Sequence, residues 1–327
     1  MMEQMNPIYS SEGLFWNLMN FFTQNVPKGC TPDFLYHYTK PEVLPHICKQ
    51  HGRLLATNVA YFEDHDEIFY GAMRFLDILA RDGAWPQSDV SEYRQKLLSL
   101  QQATNFLLPW VASLSCRKDS SRMWHDYTSR EGGYCVVFRY KGLEKFLEWA
   151  MSRRLSQGEA DTGSLFIMPC VYEGKHDIGR YLRAYYNDFS AVLSDRSNTN
   201  LVLAHLIIAG ALIKKTRYQY EHEWRIILVP PLHRLGQLEI EWCNNKPRLS
   251  LGLEKWIDDF RRLIAGIQVS SHGLHQKLCA LAKKLVRDFR SVKGDRRVKI
   301  EISGLPTDFD MLENYCDESQ QAYESHT

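Results

Sequence analysis

Glu221, Glu223 and Arg225, spaced two apart in the stretch KKTRYQYEHEWRIILV (214–229), are the side chains of this chain best suited to chemistry. The second half of the stretch, Trp224 and Ile226 to Val229, is aromatic and mostly β-branched, which is strand composition. Side chains alternate along a strand. Glu221, Glu223 and Arg225 therefore share one face with Gln219, and Trp224, Ile226 and Leu228 share the other. Buried or half-buried carboxylates need partners or a job. The alternative is an edge strand with a solvated face and a Glu–Arg pair.

Other reactive residues are more scattered. Glu63, Asp64, His65, Asp66 and Glu67 form an acidic run that could bind a divalent cation, but it lacks the glycine and spacing of a calcium loop. It also reads as a solvated helix start favoured by the helix dipole. His37 sits near the end of an apolar strand, Ser113 and Ser115 alternate on another, and Trp124 and Tyr127 are three apart on a helix. Each has a packing explanation of its own. The phosphate-binding G-x-x-x-x-G-K-[ST], the dinucleotide G-x-G-x-x-G, the G-x-S-x-G elbow and H-E-x-x-H are all missing from the sequence.

The elements that must position these residues follow from the rest of the chain. Its 327 residues are 44% hydrophobic and 24% charged, ordinary for a globular protein with a sizeable core. A net charge of +1 gives no global field to recruit nucleic acid or acidic membrane. No two of the eight cysteines form a C-x-x-C pair, and the N-terminus does not read as a secretory signal. Reduced thiols in a cytoplasmic protein are the expectation. The apolar run 201–213, interrupted by His205, is too short to span a bilayer and reads as a buried helix.

Helical spacing predicts an amphipathic helix from about Ser11 that ends at Pro27. Strands are expected at 34–39, 53–57, 110–116, 134–140, 165–172, 221–229, 238–242, 248–251 and 298–302. Helices are expected at 68–80, 90–104, 120–128, 143–155 and 274–290, with two more in 179–215. Strands and helices mix without regular βαβ alternation, which predicts an α+β fold. The predicted organisation is an N-terminal helical extension over 1–29, one α+β domain over 30–305 and an acidic, polar tail over 306–327.

Several pieces taken in order resemble a bacterial family, the domain of unknown function 2971. They are Leu35-Tyr36-His37-Tyr38-Thr39, Ser113-Leu114-Ser115, Met123-Trp124-His125-Asp126-Tyr127, Gly133 to Phe138, Glu221-His222-Glu223-Trp224-Arg225, Gly266, and Ser303-Gly304-Leu305-Pro306. The family's Asn-Asp-Pro loop appears here as Glu63-Asp64-His65, with Glu67 keeping its place. The family is in turn distantly similar to ADP-ribosyltransferases. That resemblance implies a split β-sandwich with surrounding helices, and NAD as substrate. It implies Glu223 as catalytic acid with Glu221 as its Glu-x-Glu partner. It further implies His37 at the ribose, Ser115 and Tyr127 around nicotinamide, and Tyr38 and Arg225 among the NAD-binding residues, and His37, Ser115, Tyr127 and Glu223 are expected to line one cleft. A carboxylate stabilises the oxocarbenium-like charge that develops as nicotinamide leaves. No metal is expected, and the acceptor is a macromolecule, protein or nucleic acid, or water. A toxin or phage-defence effector is the context the resemblance suggests. The alternatives are an inactive binding module whose Glu-x-Glu-x-Arg face is a structural ion-pair network, and a nuclease using Mg²⁺ on the acids of 63–67.

Overall fold

The computed structural model describes residues 31–303 except 49–51, 63, 65–66, 103–107, 148–163, 174–177, 196, 230–239, 244–245, 251–262, 272–274 and 290–298. The expected N-terminal helix and the polar tail lie outside the described residues. In chain order the elements are β1 (Phe34–Thr39), α1 (Leu44–Cys48), β2 (Leu55–Asn58), a 3-10 turn (Val59–Tyr61), α2 (Glu67–Arg81), α3 (Gln87–Gln102), β3 (Trp110–Ser115), α4 (Ser121–Tyr127) and β4 (Tyr134–Arg139). Then come β5 (Ser164–Pro169), β6 (Val171–Tyr172), α5 (Ile178–Ser194), α6 (Thr199–Gly210), β7 (Ile213–Lys214), a 3-10 helix (Thr216–Glu221), β8 (Glu223–Val229), β9 (Ile240–Cys243), β10 (Lys246–Ser250), β11 (Ile264–Val269), α7 (His275–Phe289) and β12 (Lys299–Ile302). This is an α+β protein with a mixed sheet, since β11 runs parallel to β12 and antiparallel to β4.

The described residues group into two compact units, one drawn from 55–113 and 146–251, the other from 32–54, 114–145 and 252–303. In the first unit β10 pairs with β9 and β2, β2 with β3, and β8 with both β3 and β5. A helical layer covers one face. Phe166 of β5 and Ile227 of β8 are register partners and pack with Phe75 of α2, Leu97 of α3, Tyr185 of α5 and Leu206 of α6. Helix α6 is apolar all round, as a helix buried on every side must be. Its N-cap Asn198 accepts from the Leu201 N–H. Helices α2 and α6 approach so closely that a Cβ on Gly71 would stand 2.3 Å from the Gly210 carbonyl oxygen. Only glycine fits there. The contact fixes the first turn of α2 beside the last turn of α6.

The second unit packs a sheet of β12, β11, β4, β1 and the end of β3 against α1 and α7. Tyr134, Cys135, Val136 and Phe138 of β4, all buried, form its centre. Tyr134 donates from its hydroxyl to the Leu278 carbonyl of α7 at 2.9 Å.

Candidate functional site

Strand β8 is interior, paired on both sides, and buried from Glu223 to Leu228. Paired residues on antiparallel strands project to the same face. Arg225 pairs with Met168, and Phe166 with Ile227, so Glu223, Arg225 and Ile227 project into the space beneath the helices. The reading of an edge strand with a solvated charged face does not describe this strand. The strand also begins two residues later than its composition suggested. Glu221 ends a 3-10 helix, and His222 takes a left-handed conformation, φ 43°. That conformation is costly for a residue with a Cβ. Here the turn at His222 brings Glu221 and Glu223 to one lysine, a task that simple strand alternation was expected to perform.

That lysine is Lys214, in β7. Its Nζ donates to Glu221 Oε2, lies 2.6 Å from Glu223 Oε2 and 3.3 Å from Glu67 Oε1. Arg225 forks onto Glu223, Nε to Oε1 at 3.0 Å and Nη2 to Oε2 at 3.1 Å. Its Nη2 also meets Glu67 Oε1, and its Nη1 donates to the Ala211 carbonyl. Ala211 is the C-cap of α6, where the helix dipole favours a cation. Glu67 opens α2, so the Gly71–Gly210 contact places both helix ends on Arg225. Tyr172 accepts the Glu223 N–H at 2.7 Å, and the Lys214 ammonium sits 4.8 Å above the Tyr218 ring.

All five charged side chains are buried, with Arg225 1% and Glu223 4% exposed. Burial pushes the Glu223 pKa up, but Arg225 and Lys214 outweigh it and hold the carboxyl well below the usual range. Burial likewise works against the Lys214 charge. The carboxylates of Glu223, Glu221 and Glu67 more than offset it, and the ammonium is held more firmly than in water. Burial raises the Cys170 thiol, whose Sγ lies 3.7 Å from Glu223 Oε2, so it is kept neutral. Three carboxylates against two fixed cations leave the cluster favourable to one further positive charge.

Of the residues singled out in the sequence, Glu221, Glu223 and Arg225 fall in the first unit and meet as described. His37, Tyr38, Ser115 and Tyr127 fall in the second unit. Tyr36 is the register partner of Ser115, so Ser115 projects to the face of Tyr36 and Tyr38, whereas His37 alternates to the other face. Tyr38 accepts the Ser120 N–H and donates to the Arg117 carbonyl, both at 3.0 Å, and its ring meets Trp124 edge-on. Burial raises its pKa, keeping it a neutral phenol. The Ser115 hydroxyl accepts the Arg117 N–H at 3.0 Å. Tyr127 is 39% exposed.

Lys214 was not singled out, and Glu67 was weighed only as part of the acidic run 63–67, not as a partner of Arg225. A lysine directly behind the apolar run 201–213 is a signal for a buried, paired cation, and Glu67 was the acid whose place the loop comparison kept. Glu63, His65 and Asp66 lie outside the described residues. Asp64 is ion-paired to Arg217 at 2.7 Å and bonded to the Tyr218 hydroxyl at 2.9 Å. Among the described residues no group of three or more His, Cys, Asp and Glu is placed to hold a metal ion, and no helix is long and apolar enough to cross a membrane.

Comparison with known families matches residues 123–226 to one described as "Protein of unknown function (DUF2971)". The match runs from Met123 through Lys214, Glu221, Glu223 and Arg225, so it covers most of the ionic cluster and stops short of Glu67, His37 and Ser115. Neither the curated proteins nor the solved structures gave a match.

Proposed function

We propose that the chain is an NAD-consuming enzyme with an ADP-ribosyltransferase-like fold, in which Glu223 is the catalytic carboxylate. One observation carries this reading. Acids from two distant segments converge on one lysine and one arginine, and they keep Glu223 ionised while leaving excess negative charge. In the proposed reaction the bond from the ribose anomeric carbon to nicotinamide breaks and its electron pair leaves with the nicotinamide nitrogen. A lone pair of the acceptor then bonds that carbon, and the acceptor loses its proton. A permanently ionised carboxylate stabilises the cation that develops between these events. Glu221 would assist from the same lysine. With Glu223 only 4% exposed, Lys214 must swing aside for a ribose to reach it. The acceptor is a protein or nucleic acid, or water. The setting is the cytoplasm, where the free thiols of Cys48, Cys116, Cys135, Cys170 and Cys279 stay reduced. The resemblance favours a toxin or phage-defence role.

A second reading rests on an equally specific observation: both oxygens of Glu223 already face cations. On that reading the cluster is a structural clasp in an inactive binding module.

Nicotinamide release and thermal melting of the wild type and Glu223→Gln separate the two. The enzyme reading expects release by the wild type and a loss on the order of 10²-fold or more in the variant, assayed well below its melting temperature. A wild type that releases nicotinamide no faster than buffer, with a variant that only melts earlier, leaves the clasp.

A further inference from the structure

We propose that the groove between α2 and α5 of the first unit binds a small phosphate-bearing ligand of the size and charge of a nucleoside diphosphate. The groove encloses about 380 Å³, within the range of small-molecule sites. Its walls carry the guanidiniums of Arg74, Arg81 and Arg183 against one lining carboxylate among the described residues, that of Asp77, over an apolar floor of Ile78 and Ile178.

The guanidiniums are held by shared acids rather than neutralised one for one. Asp82 accepts from Arg183 Nε at 2.6 Å and from Arg81 Nε at 3.3 Å. Asp77 accepts from Arg94 Nη2 at 2.8 Å, lies 3.8 Å from Arg74 Nη1, and so serves two arginines as well. Glu173 lies 3.3 Å from the Arg74 guanidinium. A carboxylate shared by two arginines leaves one positive charge and fixes where it sits. Even with Glu173 counted, the four arginines Arg74, Arg81, Arg94 and Arg183 outnumber Asp77, Asp82 and Glu173, the three acids paired with them here among the described residues. The arginine fork matches phosphate oxygens two at a time, and a fork already held in place loses less freedom on binding.

Exposed ion pairs add little to stability, so stability alone gives poor reason for this arrangement. Arg74 and Arg81 are two helical turns apart, roughly 10 Å along α2, a spacing suited to a ligand with more than one anionic group. Arg74 is in turn roughly 10 Å along the helix from Glu67, so the groove is separate from the ionic cluster and does not depend on NAD turnover.

Calorimetric titration of the full chain with pyrophosphate, with ADP and with a short single-stranded oligonucleotide tests the assignment. Pyrophosphate and ADP are expected to bind the wild type. The double variant Arg81→Ala/Arg183→Ala is expected to weaken both by roughly tenfold or more while melting within a few degrees of the wild type. Glu223→Gln, which lies outside the groove, is expected to bind pyrophosphate as the wild type does. Binding of the oligonucleotide alone, no heat with pyrophosphate or ADP at millimolar concentration, or a folded double variant with wild-type affinity would each overturn the proposal. Should the double variant fail to fold, Arg74→Ala supplies the same comparison, and unchanged affinity in it is equally fatal.

Discussion

The two units bury polar groups by opposite means. Among the described residues every buried charged side chain belongs to the first unit: Glu67, Lys214, Glu221, Glu223 and Arg225. The buried polar side chains of the second unit, such as Ser115, Ser120, Thr128, Ser270 and Ser303, are neutral. Most of these neutral groups bond nearby backbone. Ser270 Oγ accepts the Gly133 N–H at 2.9 Å, and Thr128 donates to the Trp124 carbonyl. A neutral hydroxyl bonded to backbone stabilises a turn by about 1 kcal/mol and needs no further explanation. A buried cluster of charges is at best near break-even against a hydrophobic core. The contrast marks the cluster, rather than the hydroxyls, as the place where function is to be sought.

The largest effect is expected from Arg225→Ala. It strands Glu223 and Glu67 without their arginine and leaves the Ala211 carbonyl without its donor. Removing one partner from a buried ion pair costs about 3–5 kcal/mol, and chemical denaturation should show a loss of that size. A loss below 1 kcal/mol would mean the cluster is far more hydrated than its burial states.

A second difference concerns acid. His205 lies fully buried in α6, with Nδ1 2.9 Å from the Tyr185 hydroxyl and no hydrogen-bond partner for Nε2 among the described residues. Burial lowers its pKa to about 3 from an ordinary 6.5. Above pH 6.5 both folded and unfolded chains hold it neutral. Between 6.5 and 3 only the unfolded chain takes up the proton, so stability falls as pH falls. The share from this group is about 2 kcal/mol at pH 5. Glu223, also depressed, adds a further loss only below the ordinary carboxylate range. His205→Gln keeps an acceptor for Tyr185 and does not titrate. Its stability between pH 7 and 5 should be flatter than the wild type's. Hydrogen exchange should place the difference in peptides of the first unit. Parallel pH curves would show that the histidine titrates normally.

Much of this contrast was legible in the sequence, and the part that was not has physical causes. The run 201–213 reads as a buried helix because nothing in it is charged; α6 takes up its first ten residues and Ile213 already belongs to β7. Strand β4 follows from Tyr134-Cys135-Val136-Val137-Phe138, whose bulky residues suit a pleated surface. The start of β8 was misplaced because alternation was extended through His222, and nothing local announces that a histidine will turn left-handed. The partnership of Arg225 with Glu67 depends on the Gly71–Gly210 approach, a contact between residues far apart in the chain. Periodicity cannot foresee it. The stretch MSRRLSQGEA (151–160), which includes the end of the helix expected at 143–155, lies outside the described residues.

In the second unit the sharpest test is Tyr38→Phe. It removes one hydroxyl that serves the Ser120 N–H and the Arg117 carbonyl, and it keeps the edge-on ring contact with Trp124. A cost of roughly 1–2 kcal/mol is expected. Exchange at the Ser120 amide should quicken, because that N–H loses its acceptor. Unchanged protection there would mean that water replaces the hydroxyl without loss.

The smallest effect is expected where the first unit holds charge at its surface. Arg217 donates to Asp64 at 2.7 Å and to the Tyr218 hydroxyl at 2.9 Å, and its side chain is 57% exposed. The geometry matches that of the buried pairs, but the surroundings differ. Water solvates Arg217 before and after the pair forms, so Coulomb attraction is largely cancelled and side-chain entropy opposes it. Lys215, 3.8 Å from Asp64, remains to accompany the carboxylate when Arg217 is gone. Arg217→Ala should therefore cost about 0–1 kcal/mol, and that cost should shrink as salt rises from 50 to 500 mM. The Arg225→Ala cost should hold across the same range, because counterions do not enter a buried cluster. Denaturation of both variants at the two salt concentrations measures the difference directly. An Arg217→Ala loss of 3 kcal/mol that resists salt would put Asp64 among the buried acids, and the line between the two kinds of charge in this unit would have to be redrawn.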